Sequence, residues 1–394
     1  MSSERNTAHL IIGGGPAGAM AAIVLASAGR NVVLAEKKCE AHHKVCGEFL
    51  SGESLHYLSQ VGVDPFALGA AVIRHVRLSS GRMVVESPLP FQALSLSRRV
   101  LDEALLARGA EKGCTVLRGA AVESLARTGE GWIATLSGGE ALRSPMVFLA
   151  TGKHDLRGFP RPSGRQNDLT GFKLHWQLAP EQIQRLRGYM ELYLFPGGYG
   201  GLSLIENGVA NLCLVVRHSI LRARAGGSQL LAHVLAQNSH LRRLLEGAKP
   251  LWAQPLAISR IPYGYLRSES SDLWRIGDQA AVIPSFTGDG ISIALHSAAL
   301  AAKMLLAGET TAAYHRALRA DLRRSMNLAT WLSRAAVTTP GRASAFSAAS
   351  LFPRLMRLIA QSTRIPQRAL IDFRESPAPP GAPPRNLSAT PAPE

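Results

Sequence analysis

The chain has 394 residues, of which 46% are hydrophobic, and a formal net charge of +16 at pH 7. That length allows a large core and favours two interleaved domains over one. The charge indicates either an anionic partner surface or simply an arginine-rich proteome. Because no recognised nucleic-acid-binding motif accompanies it, we expect no nucleic-acid partner.

The cysteines and apolar stretches suggest the compartment. The four cysteines show neither a C-x-x-C pair nor the His/Cys spacing of a zinc site, so we expect no metal. Residues 1–8 are polar and lead directly into an apolar strand, which predicts no signal peptide. No uninterrupted apolar stretch reaches membrane-spanning length. These features predict a cytoplasmic protein and leave its oligomeric state open.

A strand, a glycine-rich turn and a helix open the chain. The apolar run 10–12 predicts a buried parallel strand, and the small residues of 17–28 predict a helix. Between them, Gly13, Gly15 and Gly18 have the spacing G-x-G-x-x-G. In this pattern the first glycine permits a tight turn, the second lets the backbone approach a pyrophosphate, and the third allows close helix–strand packing. Unpaired N–H groups at the helix N-terminus would face the phosphates.

A second strand, 32–35, ends at Glu36, 18 residues beyond Gly18. A carboxylate at that position can accept a hydrogen bond from a ribose hydroxyl and disfavours a 2′-phosphate. We therefore expect FAD or NAD(H) rather than NADP(H) at this turn. The alternative is a glycine-rich turn that serves packing alone.

The middle of the chain changes from mixed to strand-rich. Helices are expected over 52–60 and 98–112, a period-2 hairpin over 72–89, and strands over 116–122, 132–136 and 146–150. From 168 to 265, strand-like segments at 171–178, 190–195, 201–205 and 209–216 surround one helical stretch, 230–245. This succession of strands predicts a separate antiparallel substrate domain.

The segment 274–291 has a second cofactor-like pattern. A strand ending in Gly277-Asp278 would put a carboxylate at the carboxyl edge of a sheet, where a ribitol or ribose hydroxyl would lie. The loop Pro-x-x-Thr-Gly-x-Gly-Ile over 284–291 then opens an alanine-rich helix. The N-terminal dipole of such a helix stabilises the negative charge of a reduced flavin. The alternative is an ordinary loop before a buried helix.

The C-terminal residues divide into a basic part and a proline-rich part. Residues 316–374 are helical in pattern and hold eleven arginines against two aspartates. They predict either contact with an anionic membrane, with Trp331 and Phe352 among the apolar anchors, or a helical layer with a solvated basic face. Residues 377–393 are rich in Pro and Ala and predict a disordered tail.

Together these motifs resemble the FAD-dependent oxidoreductases built like p-hydroxybenzoate hydroxylase, and within that group the geranylgeranyl reductase family. The resemblance covers roughly residues 8–310. It rests on the N-terminal fingerprint, Arg98-x-x-Leu101-Asp102, Ala150-Thr151-Gly152, Gly277-Asp278 with Gly288-Asp289-Gly290-Ile291, Lys44-Val45-Cys46-Gly47 and Tyr193-Leu194-Phe195-Pro196. Leu194 replaces the tryptophan usual in the last element, and the Trp-x-Trp-x-Ile-Pro element of flavin-dependent halogenases is absent.

The resemblance implies a fold and domain boundaries. The fold class is α/β, with a Rossmann-like FAD-binding domain interleaved with an antiparallel β-sheet substrate domain and a helical C-terminal layer. The expected segments are 1–71, 93–167 and 266–315 for FAD binding, a 72–92 hairpin and 168–265 for substrate, basic helices over 316–375 and a tail over 376–394.

The resemblance also implies roles for individual residues. Those expected to bind FAD are Gly13, Gly15, Pro16, Ala17 and Gly18 at the pyrophosphate, Glu36, Lys37 and Val122 on the adenosine side, Arg98, Gly277 and Asp278 at the phosphates or ribityl chain, and Gly288, Gly290 and Ile291 at the isoalloxazine. Cys46 would lie near the flavin, where a thiol could tune the ring, donate a proton or only pack. Tyr193 and Glu48 are further candidate proton donors, whereas His42 and His43 predict a solvated loop.

Three functions remain open from the sequence. The first is hydride transfer through FAD to or from a hydrophobic small molecule, prenyl or polyketide-like. The second is an FAD-dependent monooxygenase that hydroxylates or epoxidises such a molecule with O₂. The third is a non-catalytic dinucleotide-binding module. No second nucleotide fingerprint is visible, so NAD(P)H is expected only as a transient reductant.

Overall fold

The computed structural model describes residues 4–222, 227–268 and 272–373. Its helices are α1 (Pro16–Ser27), α2 (Gly52–Gln60), α3 (Arg98–Glu111), α4 (Pro180–Leu186), α5 (His218–Arg222), α6 (Gly227–Gln237), α7 (Ser239–Leu245), α8 (Gly290–Leu306), α9 (Thr311–Ala336), α10 (Thr339–Leu351) and α11 (Pro353–Ser362). Its strands are β1 (Glu4–Asn6), β2 (His9–Ile12), β3 (Val32–Glu36), β4 (Phe49–Leu50), β5 (Ala71–Ser80), β6 (Met83–Ser95), β7 (Thr115–Arg118), β8 (Val122–Thr128), β9 (Gly131–Leu136), β10 (Ala141–Ser144), β11 (Met146–Leu149), β12 (Leu169–Gln177), β13 (Gly188–Phe195), β14 (Gly198–Leu204), β15 (Ala210–Arg217), β16 (Lys249–Pro250), β17 (Leu256–Ser259), β18 (Tyr265–Leu266), β19 (Trp274–Arg275) and β20 (Ala281–Val282).

A five-stranded parallel sheet organises the first domain. Its strand order is β19-β11-β2-β3-β7, which places β2 at the centre. Both faces are covered, as parallel sheets require. Ile11 packs toward α1 and α8, while Leu10 and Ile12 pack against a four-stranded sheet of order β1-β10-β9-β8. This arrangement confirms the predicted Rossmann-like domain.

A larger sheet forms the second layer. Its strands run in the order β16-β12-β15-β14-β13-β5-β6-β4, with β17 paired to β12. The sequence pattern predicts an antiparallel sheet, and every pairing is antiparallel except β13 with β5. That parallel pairing arises because the early hairpin supplies an edge onto which a strand from much later in the chain docks in the same direction.

Helices cover one face of the larger sheet. The expected helix over 230–245 is two helices, α6 and α7, because the Asn238 side chain accepts a hydrogen bond from Leu241 N (3.0 Å) and caps α7. Leu230, Val234 and Leu241 pack on Leu212 of the sheet. The opposite face of the sheet is left for the first domain.

The C-terminal helices differ in how they pack. Tyr314, Leu318 and Leu322 of α9 are buried in the core of the first domain, as expected for a packed helical layer. By contrast, α11 contributes no buried residue. In the described part of the chain no helix has the length and apolar content needed to cross a bilayer. The predicted Pro/Ala-rich tail lies outside the described residues.

Candidate functional site

The turn between β2 and α1 forms a cradle that only glycine can line. Gly13 has φ +110°, and a Cβ there would lie 2.5 Å from the Ala150 carbonyl oxygen. A Cβ on Gly18 would lie 1.9 Å from the Gly13 oxygen, so helix and turn are in direct contact. Gly15 precedes α1 without a side-chain cap, and Pro16 begins the helix. The first amides of α1, including that of Ala17, therefore have no intrahelical partner and suit a phosphate.

Arg98 lies against this cradle. A Cβ on Gly15 would lie 3.3 Å from the Arg98 Nη2 atom. Asp102 fixes the guanidinium, because Arg98 Nε and Nη2 donate to its two carboxylate oxygens at 2.7 and 2.9 Å. Lys44 Nζ donates to the same carboxylate at 2.9 Å. Burial favours neutral Asp102, but Arg98 and Lys44 lower the pKa of its carboxyl, so two cations are fixed beside the predicted phosphate position.

Glu36 ends β3 beside the same turn. Its carboxylate is buried and accepts hydrogen bonds from Gly14 N (2.7 Å) and Lys38 N (3.0 Å). Lys37 is exposed. The Glu36 backbone oxygen accepts from Ala120 N at 3.0 Å, which brings the start of β8 at Val122 toward this edge. A small cleft lined by Gly14 and Glu36 opens here, so the residues expected on the adenosine side share one region.

The second cofactor-like segment reaches the cradle from the other side. Gly277 has φ +59°, and a Cβ there would lie 2.9 Å from the Ala17 Cβ atom, so Asp278 follows directly beside the first turn of α1. Gly288 adopts φ +77° and packs on Phe49. The loop then enters α8 at Gly290 and Ile291. The donors and dipoles gathered at these turns fit FAD.

The Lys-x-Cys-Gly segment lies between the two sheets. The backbone oxygen of Cys46 accepts hydrogen bonds from Cys213 Sγ (2.8 Å) and Asn211 Nδ2 (3.3 Å). Both partners project from β15 toward the first domain. Cys213 is held as a neutral thiol, since burial raises its pKa to about 12. Cys46 itself is half-buried, and its sulfur accepts from Glu48 N at 3.4 Å.

Glu48 is the centre of a buried polar cluster. It has φ +59° and no exposed surface. One carboxylate oxygen contacts Lys173 Nζ and accepts from Arg98 N at 2.8 Å, while the other lies 3.3 Å from His175 Nε2. Burial opposes ionisation, yet His175 and Lys173 lower the pKa of Glu48 below its ordinary value. The cluster therefore holds a carboxylate and an ammonium in contact, with neither side chain exposed at the surface.

His43 joins this cluster through ring contacts. Its ring centroid lies 4.7 Å from that of His175 and 4.9 Å from that of Trp252. Burial lowers the pKa of His43 to about 4. The prediction of a solvated loop is therefore wrong for His43, because a partner from β12, distant in sequence, covers the ring.

Three of these side chains could together face a cation. Nitrogen and carboxylate atoms of His43, Glu48 and His175 lie within 4.8 Å of one another. The Lys173 ammonium already occupies one oxygen of Glu48 and would repel a divalent ion. The expectation of no metal stays a prediction.

Tyr193 lies on the face of the larger sheet that α6 and α7 cover, not on the face that carries the Glu48 cluster. It packs with Phe195 and Leu212 under α6 and α7, whereas Cys213, next to Leu212, points toward Cys46. The Tyr193 hydroxyl is buried and has no hydrogen-bond partner among the described residues. Because neighbouring residues of a strand point to opposite faces, Tyr193 lies across the sheet from the cluster. We therefore do not place it in the catalytic group.

Sequence reasoning overlooked Lys173, His175 and Trp252. The signal available was the alternation of Lys173 and His175 in an otherwise apolar strand, which puts both on one face. That face could not be assigned without its partner, since the register pairs Lys173 with Cys213 and His175 with Asn211. An aromatic wall of Tyr199, Tyr263 and Phe286 was overlooked for the same reason.

Comparisons with known proteins support FAD binding. The family model described as an FAD binding domain matches residues 6–144. Menaquinone reductase of Mycolicibacterium smegmatis is 26% identical over 323 residues, covering 77% of each chain. Digeranylgeranylglycerophospholipid reductase 2 of Methanopyrus kandleri is 25% identical over 306 residues, covering 73% of each.

A solved structure shows the same fold. The myxobacterial chondrochloren halogenase, an FAD-dependent enzyme, superposes with a TM-score of 0.74 and 18% identity over 91% of each chain. That likeness concerns the fold alone.

Taken together, the family model and the sequence relatives show that the chain is an FAD-dependent enzyme. It is similar to the geranylgeranyl reductases within the flavoproteins built like p-hydroxybenzoate hydroxylase.

Proposed function

We propose that this FAD-dependent enzyme adds a hydride and a proton across a double bond of a hydrophobic prenyl or quinone-like molecule. The observation that carries the proposal is the buried cluster of Glu48, Lys173 and His175, which lies on the sheet face that meets the FAD-binding domain. Similarity to a menaquinone reductase and to a prenyl-lipid reductase supports the same direction of chemistry.

FAD, when bound, supplies the two-electron carrier. The residues of the chain bind the cofactor and supply the proton. The glycine cradle and Arg98 would hold the phosphates, and Glu36 would accept a hydrogen bond from the ribose. The N-terminus of α8 would stabilise negative charge on the ring. Lys173 Nζ, which contacts Glu48, is the group that would donate the proton to the substrate carbon.

The sheet face that carries the Glu48 cluster also has an apolar part, which suits a hydrophobic substrate. Leu194, Tyr199 and Val215 are buried there together with Tyr263 and Phe286 nearby. The hydroxyls of Tyr199 and Tyr263 lie 3.3 and 3.0 Å from Ser285 Oγ, in the loop that leads into α8. Their rings are thus fixed beside the predicted isoalloxazine position and present apolar surface.

Product mass distinguishes hydride transfer from oxygen insertion. Chemically reduced holoenzyme is mixed with a menaquinone or a prenyl lipid, with and without air. We expect a gain of two hydrogens that needs no air. A gain of one oxygen atom that requires air would instead establish a monooxygenase. Lys173→Met should slow the first reaction at least tenfold, whereas Lys303→Met, an exposed lysine on α8, should not change it.

The electron donor is proposed to be NAD(P)H, bound transiently. Glu36 occupies the only fingerprint-type ribose position that the sequence contains, so a nicotinamide nucleotide would dock without a fingerprint of its own. Stopped-flow bleaching of the flavin with NADH or NADPH tests this. Absence of bleaching by both nucleotides would require a different donor.

Peripheral contact with an anionic membrane is also proposed. Large apolar side chains on α9–α11 remain exposed, namely Trp331, Leu351, Phe352 and Leu358. Arg354 and Arg357 accompany them on the exposed helix α11. Such an amphipathic basic helix suits an anionic lipid surface. Phe352→Ser with Leu358→Ser should reduce flotation with anionic vesicles, while Met83→Ser, an exposed apolar control on β6, should not.

A further inference from the structure

A second cavity, of about 780 Å³, lies away from the Glu48 cluster. Its walls come from α9, from the segment 361–368, from α2 at Glu53 and from β6 at Phe91. Six arginines line it: Arg316, Arg319, Arg323, Arg324, Arg364 and Arg368. The only acidic side chains in this lining are Glu53 and Asp321, so the cavity is strongly cationic.

Four of the six arginines remain available to a ligand. Among the described residues, Arg316, Arg323, Arg324 and Arg368 form no ion pair, and all four are exposed to the cavity or solvent. Arg319 and Arg323 stand four residues apart on α9, a spacing at which like charges destabilise a helix. The two lining carboxylates are already engaged, since Asp321 accepts from His296 at 3.2 Å and Glu53 from Ser51 at 2.5 Å.

Arg364 connects the cavity to the flavin loop. Its guanidinium pairs with the buried carboxylate of Asp289 and donates to the Thr287 oxygen at 2.5 Å. Asp289 immediately precedes α8. An anion that drew Arg364 into the cavity would therefore release a contact on the loop at the predicted isoalloxazine edge.

We propose that this cavity binds the phosphate groups of a multiply charged phosphate ester or diphosphate. Guanidinium groups bind phosphate oxygens in pairs of parallel hydrogen bonds, and several arginines that converge from two segments can hold more than one phosphate. The volume admits a group much larger than a single inorganic anion. The same chemistry could come from a soluble phosphate ester or from a phospholipid headgroup.

The test uses FAD-loaded enzyme and inorganic pyrophosphate in a calorimetric titration at low salt. Arg323→Gln with Arg324→Gln should weaken binding at least tenfold, because two phosphate contacts are lost. Arg334→Gln removes an exposed arginine from the same helix outside the cavity and should leave the Kd unchanged. Should the double variant lose its FAD, Arg316→Gln with Arg368→Gln replaces it, since those arginines lie on different segments. Failure of the wild type to bind, or an equal Kd in wild type and a folded variant pair, would overturn the proposal.

A competition arm identifies the source of the phosphate. Vesicles of phosphatidylcholine with phosphatidylglycerol that displace pyrophosphate, and that bind the double variant less tightly, indicate a lipid headgroup. Pyrophosphate binding that is unaffected by those vesicles indicates a soluble phosphate ester. Both results uphold the site, and neither depends on which reaction the flavin performs.

Discussion

The ammonium of Lys173 contacts the carboxylate of Glu48 although neither side chain has any exposed surface. A buried pair of this kind gains little over an apolar pair, yet breaking it leaves an uncompensated charge. Glu48 has further partners in His175 and in Arg98 N, which hold it in place. The pair therefore constrains both the stability and the protonation of the site.

Lys173→Met should lower the free energy of unfolding by about 3–5 kcal/mol, since it strands a buried carboxylate. Adding Glu48→Gln should recover much of that loss by removing the stranded charge. Urea unfolding of the single and double variants measures both effects. Equal stability of the single and double variants would show that the two side chains do not interact.

Acidification should weaken the fold through Glu48. Its pKa is lowered in the folded protein, chiefly by His175 and Lys173 acting against burial. A lowered folded pKa contributes stability above the ordinary carboxyl pKa of about 4.5, and that contribution is lost as the pH falls through the folded pKa. The difference in unfolding free energy between wild type and Glu48→Gln should therefore shrink below about pH 4.5. A difference that stays constant from pH 7 to pH 3 would contradict the assignment.

Asp289 should change the pH dependence of stability in the direction opposite to Glu48. Burial raises the pKa of Asp289 to about 7, although Arg364 opposes the rise. An acid with a raised folded pKa stabilises the fold at low pH, and that contribution is lost as the pH rises toward 7. Asp289→Asn should flatten this dependence between pH 4 and pH 7. Thermal unfolding across that range, with Asp272→Asn as an exposed control, provides the measurement.

Gly15→Val should abolish FAD retention while leaving the fold largely intact. Its Cβ would meet only the end of the Arg98 side chain, at 3.3 Å, but the added methyls would fill the phosphate position. Gly52→Ala, where a Cβ lies 3.9 Å from the nearest atom, serves as the control. Flavin absorbance per protein after gel filtration reports retention. A yellow Gly15→Val protein would mean that the pyrophosphate lies elsewhere.

Tyr193→Phe should stabilise the protein by about 1 kcal/mol, because it removes a buried hydroxyl that lacks a partner. Turnover should stay unchanged, as the ring lies across the sheet from the cluster. A large loss of turnover in a stable Tyr193→Phe protein would restore this residue as a proton donor.

The cofactor-binding domain was predictable because its signals are local. Gly13, Gly15 and Gly18 fall within one turn, and Glu36 ends the next strand, so spacing alone identifies the cradle. The alternation of Lys173 and His175 along β12 puts both on one face, but it does not show what covers that face. Their role depends on the pairing of β12 with β15 and on contact with Glu48, 125 residues earlier in the chain than Lys173. Tyr193 illustrates the same limit, since a motif cannot tell which sheet face a strand residue occupies.

The parallel pairing of β5 with β13 has a consequence for how the protein is made. Residues 71–80 leave the ribosome long before residues 188–195 exist to cover their edge. Until then, the open edge of this hairpin is exposed to self-association. Closing so long a loop is also slow compared with forming local contacts. Expression at reduced temperature, or together with a chaperone that shields strand edges, should therefore raise the yield of native protein, and an isolated 168–265 fragment should aggregate for want of its neighbouring strand.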